Sequence, residues 1–218
     1  MNSSVQFLIF DLDGTLIDSK RDIVLCVNRA LVDQGLMPLD EEKIGNQIGR
    51  GTEYLFRQLL GTSVSDSEIK TLVERCKHFY SKHLLDHTCV YPGVHETLQF
   101  FRTLPKVIVT NKNQEFADSL VNKLGLKTHF EAVFGSEAFP TQKPDSGPIL
   151  KTCAVWKTEP SQAVIIGDSV FDITAGKMAA VKTVAALYGF TKAEELRRQS
   201  PDYEIESAHD LPGILADP

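Results

Sequence analysis

The sequence has no excess of positive charge and no apolar run long enough to cross a membrane. Of its 218 residues, 23 are Lys or Arg and 29 are Asp or Glu, which gives a formal net charge of −6. Surfaces that bind nucleic acids or anionic membranes carry clustered Lys and Arg, so neither kind of partner is expected. The apolar residues 5–10 are too few to span a bilayer. A small anionic ligand is not excluded, because a few local cations can dominate a small site.

Cysteine is scarce, and the cysteine residues are far apart in the sequence. The four cysteines contain no C-x-x-C pair and stand at Cys26, Cys76, Cys89 and Cys153. This usage predicts reduced, mostly buried thiols rather than a disulfide framework. No basic leader or small-residue cleavage site precedes the first apolar stretch. We therefore expect a cytoplasmic protein, and the sequence leaves open whether it is a monomer or a homodimer.

Short apolar segments alternate with helical patterns over most of the chain. Residues 5–10 form a nearly continuous apolar run, which is typical of a buried strand in a parallel sheet. Similar strand patterns follow at residues 106–110, 130–134, 163–167 and 182–186, with helical periodicity between them. Strands that alternate with helices imply right-handed βαβ units. The predicted fold class is α/β, with a doubly wound, Rossmann-like parallel sheet.

The segment between the first two strands has a different pattern, with helical periodicity and no convincing strand. Helices are predicted over residues 21–34, over 52–60 with Thr52 as cap, and from the capping box Ser65-Asp-Ser-Glu68 to about residue 85. This predicts an all-helical cap domain over residues 19–87, inserted into a core of residues 1–18 and 88–218. We expect the insertion to open and close about hinges at residues 18–20 and 86–91.

Polar residues follow the predicted strands at the point where each strand ends. In an open α/β sheet, ligands bind beyond the carboxyl ends of the strands, so these side chains should converge on one site. A cation would come from the loop Gln142-Lys143-Pro144. The expected set is Asp11, Asp13, Thr110, Asn111, Lys143, Asp168 and Asp172.

Four clustered carboxylates require a cation, since like charges about 4 Å apart repel by roughly 4 kcal/mol per pair at an effective dielectric near 20. Carboxylate oxygens without His or Cys select Mg²⁺ over zinc. Mg²⁺ and Lys143 together supply about three positive charges, enough to bring a phosphate dianion up to an anionic nucleophile. The residues therefore predict a magnesium-dependent phosphoryl-transfer site.

The roles within this site follow from the needs of phosphoryl transfer. Asp11 can attack phosphorus and form an aspartyl-phosphate. Asp13, two residues further on, could protonate the leaving oxygen and later activate water. Thr110 and the amide of Asn111 would hold the phosphate oxygens.

Two further patterns in the insertion remain open or are rejected. Arg50 stands between Gly49 and Gly51, where it could clamp a second anionic group of the substrate; a solvent-facing arginine in a flexible turn explains it equally well. His83 and His87 have the i, i+4 spacing of a zinc pair, but no further ligand accompanies them and a solvated helix end is favoured.

Four motifs carry a resemblance to a known family. They are Asp11-Leu-Asp-Gly-Thr-Leu-Ile-Asp18, Thr110-Asn111, Lys143-Pro144 and Gly167-Asp-Ser-Val-Phe-Asp172. In type and order they resemble the motifs of the haloacid dehalogenase superfamily, whose helical cap the insertion also resembles. Tyr91-Pro-Gly-Val and Thr110-Asn-Lys112 are similar to its phosphoglycolate-phosphatase-like branch.

The resemblance implies a role for each matching residue. Asp11 would be the nucleophile and Asp13 the acid and base. Mg²⁺ would be held by Asp11, Asp168 and the main-chain carbonyl of Asp13. Phosphate contacts would come from Thr110, Asn111 and Lys143, and Asp172 would support Lys143 or a metal-bound water.

The leading function is a Mg²⁺-dependent phosphatase for a small phosphorylated metabolite, with phosphoglycolate as first candidate. A sugar phosphomutase, or a nucleotide or pyrophosphate phosphatase, would use the same motifs and remains open. A dehalogenase would need neither metal nor second aspartate, so Asp13 and Asp168 disfavour it. A metabolite-binding protein without turnover is the alternative outside the enzymes.

Overall fold

The computed structural model describes residues 5–215, so residues 1–4 and 216–218 of the predicted core lie outside the described residues. The strands, in chain order, are β1 (Phe7–Phe10), β2 (Ile17–Asp18), β3 (Cys89–Val90), β4 (Lys106–Val109), β5 (Ala132–Phe134), β6 (Ala163–Gly167), β7 (Lys182–Ala186) and β8 (Tyr203–Ile205). The helices are α1 (Lys20–Asp33), α2 (Glu41–Gly45), α3 (Thr52–Leu60), α4 (Asp66–His83), α5 (Val94–Phe100), α6 (Gln114–Lys123), α7 (Gly147–Val155), α8 (Val170–Met178), α9 (Ala193–Arg198) and α10 (Leu211–Leu215).

Six strands form one parallel sheet in the order β5-β4-β1-β6-β7-β8. The first strand of the chain lies in the middle, between β4 and β6, as a doubly wound fold requires. Because all six strands run the same way, their carboxyl ends meet at one edge. The predicted α/β fold with a parallel sheet is confirmed.

Alternate residues of β1 face opposite sides of the sheet and enter separate apolar layers. Phe7 and Ile9 pack into one layer, where the ring of Trp156 stacks on Phe7 at 5.4 Å between centroids. Leu8 and Phe10 pack into the other layer. Strands covered on both faces need apolar residues at every position, which explains the continuous run in the sequence.

Helices α1 to α4 lie between β2 and β3 and pack mainly through α1 against α4 and α3 against α4. Their apolar residues, including Leu31, Phe56 and Leu72, form one continuous cluster with Leu8 and Phe10 of the sheet. The capping box at Ser65 and Glu68 is confirmed. The division of the chain into core and cap remains a prediction.

Three local features of the insertion differ from the sequence-based expectation. Thr52 is the first helical residue of α3, and Gly51, with a φ of 84°, takes the N-cap position without a side-chain bond. The short helix α2, capped by the Asp40 side chain, was not expected. Neither was the antiparallel pairing of β2 with β3, which joins Ile17 to Val90 at the predicted hinges.

In residues 5–215, each helix falls short of the length or the apolarity that crossing a bilayer demands.

Candidate active site

Three carboxylates meet at the carboxyl edge of the sheet. Asp11 follows β1, Asp168 follows the neighbouring β6, and Asp172 lies in the first turn of α8. One oxygen from each lies within 4.8 Å of the others, and all three residues are buried. Helix α8 begins directly after Ser169, which caps it: Asp172 N donates to Ser169 Oγ at 3.3 Å. That cap also fixes the Asp172 carboxylate, which accepts from Ser169 N at 3.1 Å.

Lys143 joins these carboxylates, and we call the group Asp11, Lys143, Asp168 and Asp172 the floor of the site. Lys143 Nζ lies 2.6 Å from Asp172 Oδ1 and 2.9 Å from Asp11 Oδ1, and donates to the Val109 carbonyl at 2.7 Å. Its side chain is only 2% exposed. Burial by itself would lower the pKa of Lys143, but the charges of Asp11 and Asp172 outweigh burial and raise it above the usual range. Lys143 is therefore a permanent ammonium.

One ammonium does not balance three buried carboxylates. Burial raises the pKa of Asp11 from 3.8 to about 6; the charge of Lys143 opposes this shift, and that of Asp172 adds to it. Burial, together with the charges of Asp11 and Asp172, also raises the pKa of Asp168 well above its ordinary value. Asp11 and Asp168 thus hold protons more tightly than free carboxyl groups do, which is expected where a further cation belongs.

The floor fits a hard divalent cation such as Mg²⁺. Asp11 Oδ1 is buried and, within residues 5–215, makes no hydrogen bond; the approach of Lys143 Nζ is an ion pair at an angle outside hydrogen-bond geometry. Gly14 and Gly189 enclose Asp168 so closely that an added Cβ would lie 2.1 Å and 2.2 Å from its atoms. The donors are carboxylate oxygens, the ligands that Mg²⁺ prefers. Asp11 and Asp168 could hold such an ion, with Asp172 beside them.

Asp13 belongs to a second group, which we call the wall of the site: Asp13, Tyr80 and Lys112. Lys112 Nζ donates to the two Asp13 oxygens at 3.0 and 3.1 Å and to Tyr80 Oη at 2.8 Å. Ser19 Oγ makes a short hydrogen bond to Asp13 Oδ1. The lysine comes from the core, whereas Tyr80 lies on α4 of the insertion.

Lys112 is an ammonium for the same reason as Lys143. Burial would lower its pKa, but the negative charge of Asp13 and the hydrogen bonds to Asp13 and to the Tyr80 hydroxyl raise it above the usual range. Burial also raises the pKa of Tyr80 to about 12, so the phenol stays neutral. Sequence reasoning gave Lys112 and Tyr80 no role in the site. The signal for Lys112 was its place directly after Thr110 and Asn111, whereas Tyr80 shows only the apolar periodicity of a helix.

The floor and the wall meet at one cavity between the core and the insertion. Its core side is lined by Asp11, Asp13, Thr110, Asn111 and Lys112, and its insertion side is mostly apolar, with Ile23, Val27, Ile48, Leu55 and Tyr80. Of the predicted residues, Asp11, Asp13, Thr110 and Asn111 are thus brought together. Lys143 and Asp168 lie next to Asp11 in the floor.

The Asn111 side chain has a structural task that the sequence did not reveal. Its Nδ2 donates to the carbonyls of Gly49 and Lys143, both at 2.9 Å, and its Oδ1 accepts from Lys143 N at 3.1 Å. The side chain therefore ties the insertion to the lysine loop. Thr110 Oγ1 accepts from Lys112 N at 3.3 Å and lines the cavity.

Arg50 is not brought into the site. Its guanidinium lies over the rings of Tyr54 and Phe171, 4.7 and 5.9 Å from their centroids. The cavity lining formed by residues 5–215 includes Gly49 and Gly51 but leaves Arg50 out. Its suggested contact with a substrate remains a prediction.

The comparisons with known proteins agree with this geometry. The family model for haloacid dehalogenase-like hydrolases matches residues 8–186. The chain therefore belongs to the haloacid dehalogenase-like hydrolase family.

Its relatives within that family carry a narrower name. The chain is similar to the phosphoglycolate phosphatase of Chromobacterium violaceum, with 35% identity over 95% of this chain and 96% of that protein. It is 33% identical to the phosphoglycolate phosphatase of Aquifex aeolicus, over 97% of each chain. The crystal structure of a predicted phosphoglycolate phosphatase from Haemophilus somnus matches with a TM-score of 0.90 and 26% identity, over 96% of this chain and 97% of that one.

Proposed function

We propose that this protein is a Mg²⁺-dependent phosphatase that hydrolyses a small phosphate monoester, with phosphoglycolate as the first candidate, through an aspartyl-phosphate on Asp11. The observation that carries the proposal is the floor, where the buried carboxylate of Asp11 lies 2.9 Å from the buried ammonium of Lys143 at the end of a cavity, with Oδ1 free of hydrogen bonds among residues 5–215. Such a site pairs a nucleophile with the positive charge that a phosphate dianion needs.

The proposed reaction has two steps, transfer of the phosphoryl group to Asp11 and hydrolysis of the resulting aspartyl-phosphate. An Asp11 oxygen forms a bond to phosphorus while the ester P–O bond breaks, and Asp13 gives its proton to the leaving oxygen. In the second step Asp13 takes a proton from water, the water oxygen bonds to phosphorus, and the bond between phosphorus and Asp11 breaks. Mg²⁺ held by Asp11, Asp168 and the Asp13 main-chain carbonyl would neutralise charge on the phosphoryl oxygens. Lys143 and Thr110 orient the phosphoryl group.

The choice of phosphoglycolate rests on the relatives and on the apolar residues that line the insertion side of the cavity. The relatives named above are phosphoglycolate phosphatases, and this chain matches them over nearly their whole length. On the insertion side, Ile23, Val27, Ile48 and Leu55 offer no hydrogen bonds to the hydroxyls of a hexose phosphate. A short substrate fits this apolar lining better than the hexose phosphate of a sugar phosphomutase does.

We further propose that residues 19–87 act as a cap and that the reaction takes place in the cytoplasm without a nucleic-acid or membrane partner. The bonds from Asn111 to Gly49 and from Lys112 to Tyr80 support a cap that contacts the site directly. The four cysteines, all in the described part of the chain, are free thiols, as a reducing compartment favours.

The test is phosphate release from phosphoglycolate by wild type and by Asp11→Asn. We expect Asp11→Asn to lower kcat by at least about 10³-fold, because an amide is a poor nucleophile. Acid-quenched wild type should carry one added phosphoryl group on the peptide that contains Asp11. The control is Asp18→Asn, which removes an exposed carboxylate from the nearby β2 and should leave kcat unchanged. Turnover by Asp11→Asn at the wild-type rate would end the proposal.

A further inference from the structure

Lys112 has a charge that the proposed reaction leaves unmatched. In the structure both oxygens of Asp13 accept from its ammonium at 3.0 and 3.1 Å, and the Lys112 side chain is 7% exposed. When Asp13 contacts an ester oxygen, at most one of its oxygens remains for Lys112. As the acid of the proposed first step, Asp13 holds the proton that it gives to the ester oxygen and no longer supplies Lys112 with a full negative charge. The buried ammonium then needs another anion, since an unpaired buried charge is costly.

We propose that Lys112 binds a carboxylate of the substrate and thereby selects phosphate esters of short hydroxy acids. This inference rests on the proposed function, because it uses the position of the ester oxygen beside Asp13. It identifies the cation that distinguishes a phosphorylated hydroxy acid from a phosphate ester whose alcohol part carries no charge.

The distances limit how far the carboxylate stands from the phosphate. Lys112 Nζ lies about one hydrogen-bond length from Asp13, and Asp13 in turn contacts the ester oxygen in the proposed reaction. A carboxylate on the carbon next to that oxygen therefore reaches the ammonium. A carboxylate several carbons further out would extend beyond Lys112 and meet the apolar side chains of Val27 and Leu55. The expected substrate class is a phosphoryloxy acid of two or three carbons.

The charge of the site favours a carboxylate over a second phosphate. Lys112 supplies one positive charge, which in the structure pairs with Asp13. When Asp13 acts as the acid, that charge balances one monoanion, whereas a second phosphate dianion would leave excess negative charge in a cavity that is largely apolar on the insertion side.

The other cations nearby are less suited to this task. Lys77 lines the cavity, but its side chain is 37% exposed and lies 3.4 Å from Glu74, so it remains solvated. Arg50 stacks on Tyr54 and Phe171 outside the cavity. Lys112 is held in place by Tyr80 Oη at 2.8 Å and by the Tyr80 ring, 4.5 Å from Nζ.

The first experiment compares two substrates of similar size, phosphoglycolate and hydroxyethyl phosphate, in which a carboxylate is replaced by a hydroxymethyl group. For wild type we expect a higher kcat/KM with phosphoglycolate. Lys112→Met should reduce this preference by at least about 10-fold, the value of a charge-assisted hydrogen bond. Lys77→Met removes a solvated lysine from the same cavity and should keep the preference, and Arg50→Met tests the alternative clamp.

The outcomes separate the inference from the function on which it rests. If Lys112→Met slows both substrates equally, the lysine acts only through Asp13 and the inference is wrong. If Arg50→Met removes the preference and Lys112→Met does not, the carboxylate binds elsewhere. If wild type releases phosphate from neither ester nor from any other, the proposed function itself fails and the inference falls with it.

A binding measurement guards against effects on turnover and folding. Phosphonopropionate replaces the ester oxygen of phosphoglycolate by carbon, and propylphosphonate lacks its carboxylate. By calorimetry with MgCl2, Asp13→Asn should prefer phosphonopropionate, because its Lys112 has no carboxylate partner. The double variant Asp13→Asn/Lys112→Met, in which neither charge is left unpaired, should lose that preference by about 10-fold or more. An unchanged preference in the double variant would overturn the inference.

Discussion

The floor and the wall of the site each bury a lysine ammonium against a carboxylate with a proposed catalytic role, but they are built from different parts of the chain. The Lys143 ammonium is bound by Asp11, Asp172 and the Val109 carbonyl, which all lie outside the insertion. Lys112 bridges Asp13 of the core and Tyr80 of the insertion. The Lys143 ammonium is therefore positioned by the sheet and its loops, with Gly49 of the insertion joined to the lysine loop through Asn111, whereas Lys112 depends directly on where α4 lies. In the proposed mechanism the floor supplies the nucleophile, and the wall supplies Asp13 and the cation proposed to select the substrate.

The largest effect should come from Lys143→Met. Methionine keeps the length of the side chain but leaves Asp11 and Asp172 buried without their cation. We expect kcat with phosphoglycolate to fall by about 10³-fold, because the positive charge that binds the phosphoryl oxygens beside Asp11 is lost. Unfolding in urea should show a loss of about 3–5 kcal/mol, the cost of breaking a buried ion pair from one side.

Lys106→Met is the matched control for that variant. Lys106 is also buried, at the opposite end of β4, where its Nζ donates to the carbonyls of Phe101 and Leu104 at 2.6 and 2.9 Å. Its loss should affect stability and leave kcat unchanged. Lys143→Met with kcat within about 10-fold of wild type would show that the floor does not carry the chemistry.

The floor could be predicted from the sequence because strand ends are easy to locate. Asp11 and Asp168 directly follow apolar runs, and parallel strands bring their carboxyl ends to one edge whatever the details of packing. The four main strand segments were placed within two residues, and β6 and β7 were predicted without error.

The wall could not be predicted, since it depends on a contact between helix α4 and a loop 32 residues away in sequence. Apolar periodicity marks Tyr80 as buried but does not say that its hydroxyl meets Lys112. The two-residue strands β2 and β3 were missed for a similar reason, because Ile17 and Val90 show no pattern of their own and pair only once the chain has folded. The flanking glycines left Arg50 open between a substrate clamp and a solvent-facing turn, because they do not predict its stacking on the rings of Tyr54 and Phe171.

A smaller effect on the floor should appear when Mg²⁺ is added at different pH values. The pKa of Asp11 is raised from 3.8 to about 6 in the metal-free fold, so the native state holds a proton that the unfolded chain releases. The metal-free protein therefore loses stability as pH rises through this window, by at most about 3 kcal/mol for this group. Mg²⁺ competes with the proton and should stabilise the fold more at high pH.

The measurement is the Tm with and without millimolar MgCl2. At about pH 8 we expect the ion to raise Tm by roughly 4–10 °C, and at about pH 5 by much less. Asp168→Asn, which removes one carboxylate of the floor, should abolish the pH-dependent part. An equal increase at both pH values, or one that persists in Asp168→Asn, would place the ion outside the floor.

The smallest effect should come from Tyr80→Phe, which tests whether the insertion sets the wall. The change removes the 2.8 Å hydrogen bond to Lys112 and keeps a ring that packs edge-on against Phe116 at 5.2 Å. Because one hydrogen bond contributes about 1 kcal/mol, we expect kcat/KM for phosphoglycolate to fall by roughly 3- to 10-fold while hydroxyethyl phosphate is little affected. Tyr54→Phe alters a tyrosine of the same insertion that packs on Phe171, and should leave both substrates unchanged. An equal loss for the two substrates would mean that Tyr80 acts on Asp13 rather than on recognition, and the separation between floor and wall would no longer hold.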